Sequence, residues 1–327
     1  MFNRNNWTCS RTSQTIMMIN RDYQYIRRYE DACKLEILDD SLYLYSVDVE
    51  DRSKMCVSQL SAKYSNTVFV ELEYLPNDVV KEVATNENFK LKSEIAKTRL
   101  LQKYGKSRVY FEVTGMSNRL AAPLLNSALK LGMEVHVVYA EPSTYDPDVF
   151  KQHGLFENNP KQYDGIKPLP GLASFAKDDD RFLFVALLGF EGGRFAYIYD
   201  KLQPIDDMVL PVIGVPGYRI EYPFVTFWGN QSALLRSKAK ENIRYAAANS
   251  IVDAYLLLKR VLDENPRKLI KIAPIGTKPH CIAAILFAIK YYKNVEVVYD
   301  NPIHTVKLTK GLGAITDCDV SRLIDEN

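Results

Sequence analysis

Apolar positions in this chain cluster in short dense runs, separated by longer stretches where small and apolar residues recur at helical spacing. Runs such as VFVEL at 68–72 and FLFVALLGF at 182–190 show little polar alternation, the pattern of strands buried on both faces. In chain order the pattern predicts strands near 41–47, 67–75, 108–113 and 133–139, with helices near 52–64, 91–104 and 118–131. It then predicts strands near 181–189, 208–215, 269–275 and 294–299, with helices near 194–202, 231–264 and 279–292. Such alternation implies parallel strands joined by crossover helices that cover both faces of a sheet.

The two halves resemble each other. Residues 108–142 and 269–302 align when Gly115 is set on Gly276. In each, a strand ends in a Gly-containing turn, a helix follows, and a second strand (VHVVY, VEVVY) closes on proline, with spacing that agrees to within one residue. Weaker matches flank this core: GIKPLPGL at 165–172 with TVKLTKGL at 305–312, and 42–52 with 184–194. The predicted fold class is α/β: two tandem Rossmann-like lobes from an internal duplication, with mostly parallel sheets covered by helices. The expected divisions are an N-terminal extension at 1–39, a first lobe at 40–142, a connection at 143–180 and a second lobe at 181–327. Within the extension, Tyr23, Tyr25, Arg27, Arg28 and Tyr29 suggest a helix docked on the first lobe.

Composition narrows the function. With 327 residues and 47% apolar content, the chain can bury two ordinary cores. A net charge of +2 means that any anion site must be a local cluster of basic groups. Cys9, Cys33, Cys56, Cys281 and Cys318 are odd in number and form no C-x-x-C pair, so they read as reduced thiols. The N-terminus lacks a signal-peptide core and no apolar run is long enough for a bilayer span, so a cytoplasmic protein is expected. Neither G-x-G-x-x-G after the first strand nor G-x-x-x-x-G-K-[ST] is present, which argues against dinucleotide dehydrogenases and P-loop enzymes. H-E-x-x-H and G-x-S-x-G are missing as well. No metal or cofactor is expected.

Ligands of open parallel sheets sit beyond the carboxyl ends of the strands, so the strand-end turns carry the candidate chemistry. In the second lobe these are Gly276, Thr277, Lys278 and His280. Gly276 allows a sharp turn, Thr277 is a candidate N-cap, and Lys278 with Pro279 opens a helix whose N–H groups attract an anion. The matching first-lobe turn holds Thr114, Gly115, Ser117, Asn118 and Arg119. Arg52 and Arg194 are placed either to clamp phosphate or to pair with a neighbouring glutamate, Glu50 or Glu191. Tyr139 and Tyr299 end matching strands, where core packing competes with base stacking. Glu141 and Asn301, which follow them, read more readily as turn formers than as ribose contacts. Cys281 reads as a structural thiol.

A strand ending in Gly-Thr-Lys before a helix, inside a duplicated Rossmann-like unit, resembles the CRISPR-associated Rossmann fold (CARF). It is most similar to SAVED domains, in which two such lobes are fused. The likeness spans roughly 40–142 and 181–312. It implies a sensor of cyclic oligonucleotide messengers in antiviral defence, with Gly276, Thr277 and Lys278 as the ligand-holding loop and Gly115, Ser117 and Asn118 as its counterpart. Ile275 stands where those families often carry a second glycine. No effector pattern fits this chain, so the resemblance implies a separate effector protein or complex. Two other readings stay open: a structural subunit of a defence or nucleic-acid-processing complex without ligand, and an enzyme acting on nucleotides or nucleic acid through Glu50 or Glu191. A non-enzyme is favoured, no membrane partner is expected, and nucleic acid is left open as a partner.

Overall fold

The computed structural model describes residues 24–47, 52–145, 165–172, 181–301 and 309–327. Strand β1 (Ile26–Tyr29) is followed by β2 (Ser41–Tyr45), helix α1 (Arg52–Lys63) and β3 (Val68–Leu75). A hairpin of β4 (Val79–Glu82) and β5 (Glu87–Lys90) comes next, then α2 (Glu94–Gln102), β6 (Arg108–Glu112), α3 (Asn118–Lys130) and β7 (Glu134–Tyr145). The second half runs β8 (Leu183–Leu187), α4 (Gly192–Leu202), β9 (Val209–Gly214), α5 (Tyr222–Arg236), β10 (Arg244–Ala246) and α6 (Ile251–Glu264). It continues with β11 (Ile270–Pro274), α7 (Lys278–Lys290) and β12 (Val295–Val297). The chain ends with β13 (Thr309–Asp319) and α8 (Val320–Glu326).

These strands form two sheets, ordered β1-β13-β7-β6-β2-β3-β4-β5 and β10-β9-β8-β11-β12. The protein is therefore α/β with a Rossmann-like layout. The order β7-β6-β2-β3 in the first sheet recurs as β12-β11-β8-β9 in the second, and all of these neighbours are parallel.

Five expectations need correction. The first sheet is mixed, because β1, β13, β4 and β5 all add antiparallel. The helix expected over Tyr25 to Tyr29 holds only at Gln24 and Tyr25, the latter buried in the core; Ile26–Tyr29 is an edge strand, β1, which pairs with β13 from Ile26↔Cys318 to Tyr29↔Ile315. Tyr23 lies outside the described residues. The single helix expected at 231–264 is two, α5 and α6, with the short strand β10 between them. The antiparallel β4 and β5, missed in the pattern, are allowed by Asn77 and Asp78 in the turn from β3 to β4 and by Asn86 in the turn from β4 to β5, whose positive φ angles (65°, 57° and 58°) suit Asn and Asp in tight turns. Residues 309–327, assigned to the second lobe, instead complete the first sheet. There β13 pairs with β7 from Thr309↔Tyr145 to Asp319↔His136.

One apolar core joins both halves. Leu120, Leu124 and Leu125 of α3, Val252 and Tyr255 of α6, and Ile282, Ile285 and Leu286 of α7 are all buried in it. Helix α3 packs directly on α7, its counterpart in the other lobe. Each Leu or Ile side chain so removed from water contributes about 1.5–3 kcal/mol, so the lobes are held together as firmly as a domain interior. The described part of the connection bridges the same seam. Lys167 N donates to the Tyr299 carbonyl (3.2 Å), and Asn126 Nδ2 donates to the Gly171 carbonyl (3.1 Å).

Candidate functional site

From β8 the chain first builds β9 on one side and later returns to build β11 on the other, so the strand order reverses between β8 and β11. Ligands of open α/β sheets bind outside such a reversal, at the strands' carboxyl ends. A cavity of about 220 Å³ lies there. Its base is the crossing of the two loops that leave these strands. A Cβ on Gly189 would come 2.7 Å from the Ile275 carbonyl oxygen, and one on Gly276 would come 2.6 Å from that of Leu188. Gly276 is thus required by backbone-to-backbone approach, not by a left-handed turn. The same holds for Gly115, where a Cβ would collide with the Ser46 carbonyl oxygen.

Aromatic rings line the cavity: Phe190 after β8, Tyr218 in the loop after β9, Tyr222 at the start of α5, and Tyr299 beyond β12. Phe190 and Tyr222 meet edge to face at 5.3 Å. These rings were not singled out from the sequence, although the Pro216-Gly217-Tyr218 loop after β9 is itself a strand-end turn. Glu191 stands half-exposed at the rim as the one carboxylate among the described lining residues.

Thr277 caps α7 by accepting from His280 N (3.4 Å) and donates its own hydroxyl to the Ala248 carbonyl (2.6 Å). Ser117 caps α3 in the same way through Leu120 N (3.2 Å). Lys278 reaches across the seam, its Nζ donating to the Met116 carbonyl (2.7 Å). His280 does not line the cavity. It is fully buried, its Nε2 lies 3.0 Å from the Ala247 carbonyl, and burial pushes its pKa below the usual value. The ring is therefore neutral and serves packing.

Of the two arginines in question, Arg194 is paired with carboxylates. Arg194 is buried and grips Asp300 with two hydrogen bonds (2.7 and 2.6 Å), while Glu191 stands farther off at 3.6 Å. Burial works against its charge, and Asp300 more than offsets this, holding the guanidinium's pKa well above its ordinary value. Arg194 thus pairs with its neighbouring glutamate, as one alternative had it, but its tighter partner is Asp300, which neither alternative named. Arg52 is also buried and donates to the Ala140 carbonyl within β7. Glu50 lies outside the described residues. Thr114 accepts from Ala140 N (2.9 Å), an internal contact. Burial pushes the Cys281 thiol up, in keeping with a structural role.

No family model and no curated protein matches the chain. Among solved structures it is similar to an ABC-transporter solute-binding protein from Burkholderia multivorans, at 12% identity over 78% of this chain and 75% of that one, with a TM-score of 0.22. It is also similar to the CobK precorrin-6A reductase, at 11% identity over 83% of this chain and 91% of that one, with a TM-score of 0.23. Likenesses this distant carry no argument about function.

The first-lobe turn is divided between two cavities. Asn118 lines the one described above, whereas Ser117 and Arg119 face a wider polar cleft of about 630 Å³ on the other side of Tyr299. There Arg119 is held by Asp78 of the unexpected hairpin, by the Tyr74 hydroxyl (2.9 Å) and by Asn301 of the second lobe (2.9 Å). Glu141 is buried within β7 and pairs with Arg28 (2.8 Å), so it is no turn former, whereas Asn301 turns the chain as expected, at φ 48° with its Nδ2 donating to the Tyr299 carbonyl (3.1 Å). Among the described residues no group of three or more His, Cys, Asp or Glu is placed to hold a metal ion, and no helix is long and apolar enough to cross a membrane.

Proposed function

We propose that the chain is a cytoplasmic ligand-sensing module for a nucleotide-type molecule held beyond β8 and β11. As the CARF/SAVED resemblance implies, it would serve antiviral defence through a separate effector. The observation that carries this reading is a cavity at the strand-order reversal to which both lobes contribute. The second lobe supplies aromatic walls and the start of α7; the first supplies Asn118. Aromatic faces suit a planar base, and a helix N-terminus suits an anion. Helix α5, whose Tyr222 and Thr226 line the cavity, also turns Phe224 and Trp228 to solvent, 72% and 64% exposed. Cavity and apolar outer surface thus share one rigid element. We also propose that the lobes arose by duplication, which the shared strand order supports.

A structural subunit without ligand is the second reading. It is favoured by the internal contacts that Arg52, Arg119, Arg194 and Lys278 all make.

The test is thermal melting of wild type and Tyr222→Ala with mononucleotides and cyclic oligonucleotides. A ligand at a hundred times its Kd adds about 2.7 kcal/mol to wild-type stability, and Tyr222→Ala is expected to lose most of that gain. Should no nucleotide shift the wild-type melting temperature, the structural reading takes its place.

A further inference from the structure

We infer that Asn118 reads the ligand in this cavity, and that the group it reads is an N–H donor on the edge of a planar ring, a nucleobase and not a phosphate. This rests on the nucleotide reading above. Asn118 is the first residue of α3 and only 4% exposed. It is not needed as a cap, because Ser117 caps that helix. Its buried Oδ1 has no hydrogen-bond partner. Buried polar atoms are almost always paired, so an unpaired acceptor lining a cavity points to a partner that arrives from outside.

The surroundings define that partner further. Gly189, Gly214, Gly217 and Gly276 border the cavity without side chains, and the Tyr218 and Tyr222 rings line it, so the space suits a flat group. Of the two cations lining the cavity, Arg194 is already neutralised by Asp300 and Lys278 donates across the seam to the Met116 carbonyl. A phosphate entering that depth would therefore find no uncommitted guanidinium. The volume, about 220 Å³, is below the ~300–1,000 Å³ of ordinary small-molecule sites, which fits one ring system with the rest of the ligand outside. Because Asn118 begins α3 while the other walls belong to the second lobe, a bound base ties α3 to α7 directly.

The experiment compares adenosine, guanosine and cytidine 5′-monophosphates with purine riboside 5′-monophosphate, which lacks an N–H donor on its base. Calorimetry is run on wild type, Asn118→Leu and Asn118→Asp. At least one donor-bearing nucleotide is expected to bind wild type about tenfold more tightly than the purine riboside, the worth of one hydrogen bond. Asn118→Leu should abolish that difference, and Asn118→Asp, which keeps an acceptor, should retain it. Equal discrimination by wild type and Asn118→Leu overturns the inference while the nucleotide reading stands. If no nucleotide binds wild type, that reading fails and the inference with it. Melting of the ligand-free protein gives a separate check. Removing an acceptor that has no partner should leave the melting temperature of Asn118→Leu unchanged or higher, and a fall of many degrees would make Asn118 structural and overturn the inference.

Discussion

The ends of β2 and β6 in the first lobe and of β8 and β11 in the second occupy the same place in the same strand order, but their contents differ. In the first lobe a buried polar network fills the position. The Ser53 hydroxyl and Thr114 N donate to the Glu112 carboxyl, which is fully buried beside Arg52. In the alignment of the lobes, Glu112 and Ser53 fall opposite Ala273 and Phe195, which are buried in an apolar cluster. The second lobe's carboxylate is instead Asp300, opposite Ala140, and it holds Arg194 bidentately. Each lobe thus buries one arginine near one carboxylate, but takes the acid from a different strand. The comparison teaches that the requirement is electrostatic, not positional: a buried guanidinium must be neutralised or hydrogen-bonded, and either strand end can do it.

The largest effect is expected where the pair is tightest. Asp300→Ala leaves Arg194 buried with only the more distant Glu191 as a charge partner, at a loss of about 3–5 kcal/mol in urea unfolding. Replacing both with leucine should recover most of this, since the uncompensated charge is gone. A loss under about 1 kcal/mol for the single variant would mean that the pair does not carry the second lobe.

Next in size is the first-lobe network. Ser53→Ala withdraws a donor from a buried carboxyl and should cost about 1–3 kcal/mol. Burial pushes the Glu112 pKa above the usual carboxylate range, against the hydrogen bonds from Ser53 and Thr114 and the Arg52 charge. The folded state therefore keeps this proton after the unfolded chain has lost it. Its stabilising contribution is full below the ordinary carboxylate pKa and disappears as pH rises through the raised value. Glu112→Gln should flatten that part of the melting-temperature profile, and a profile matching wild type would show that Glu112 titrates normally.

The smallest effects should be the most alike. Ser117→Ala and Thr277→Ala each remove an N-cap and should each cost about 1 kcal/mol. Thr277 should be the costlier of the two, because its hydroxyl also bonds Ala248. Unequal losses in the opposite order would weaken the correspondence between the two turns.

What could be read from the chain alone was the local grammar. The strand–helix alternation, the shared turn layout, the caps Ser117 and Thr277 and the need for glycine at 115 and 276 all depend on residues a few positions apart or on one backbone crossing. Short elements escaped: β4, β5 and β10 have three or four residues, too few for periodicity to register. The destination of β13 escaped too, because nothing in its own pattern says which sheet edge it meets. Partnerships were the least legible. Arg194 meets Asp300 over 106 positions, Lys278 meets Met116 over 162, and Arg119 meets Asn301 over 182. A charge in a sequence advertises that it needs a partner, and only the packing of α3 on α7 and the closing of the sheets bring one particular partner within hydrogen-bond reach.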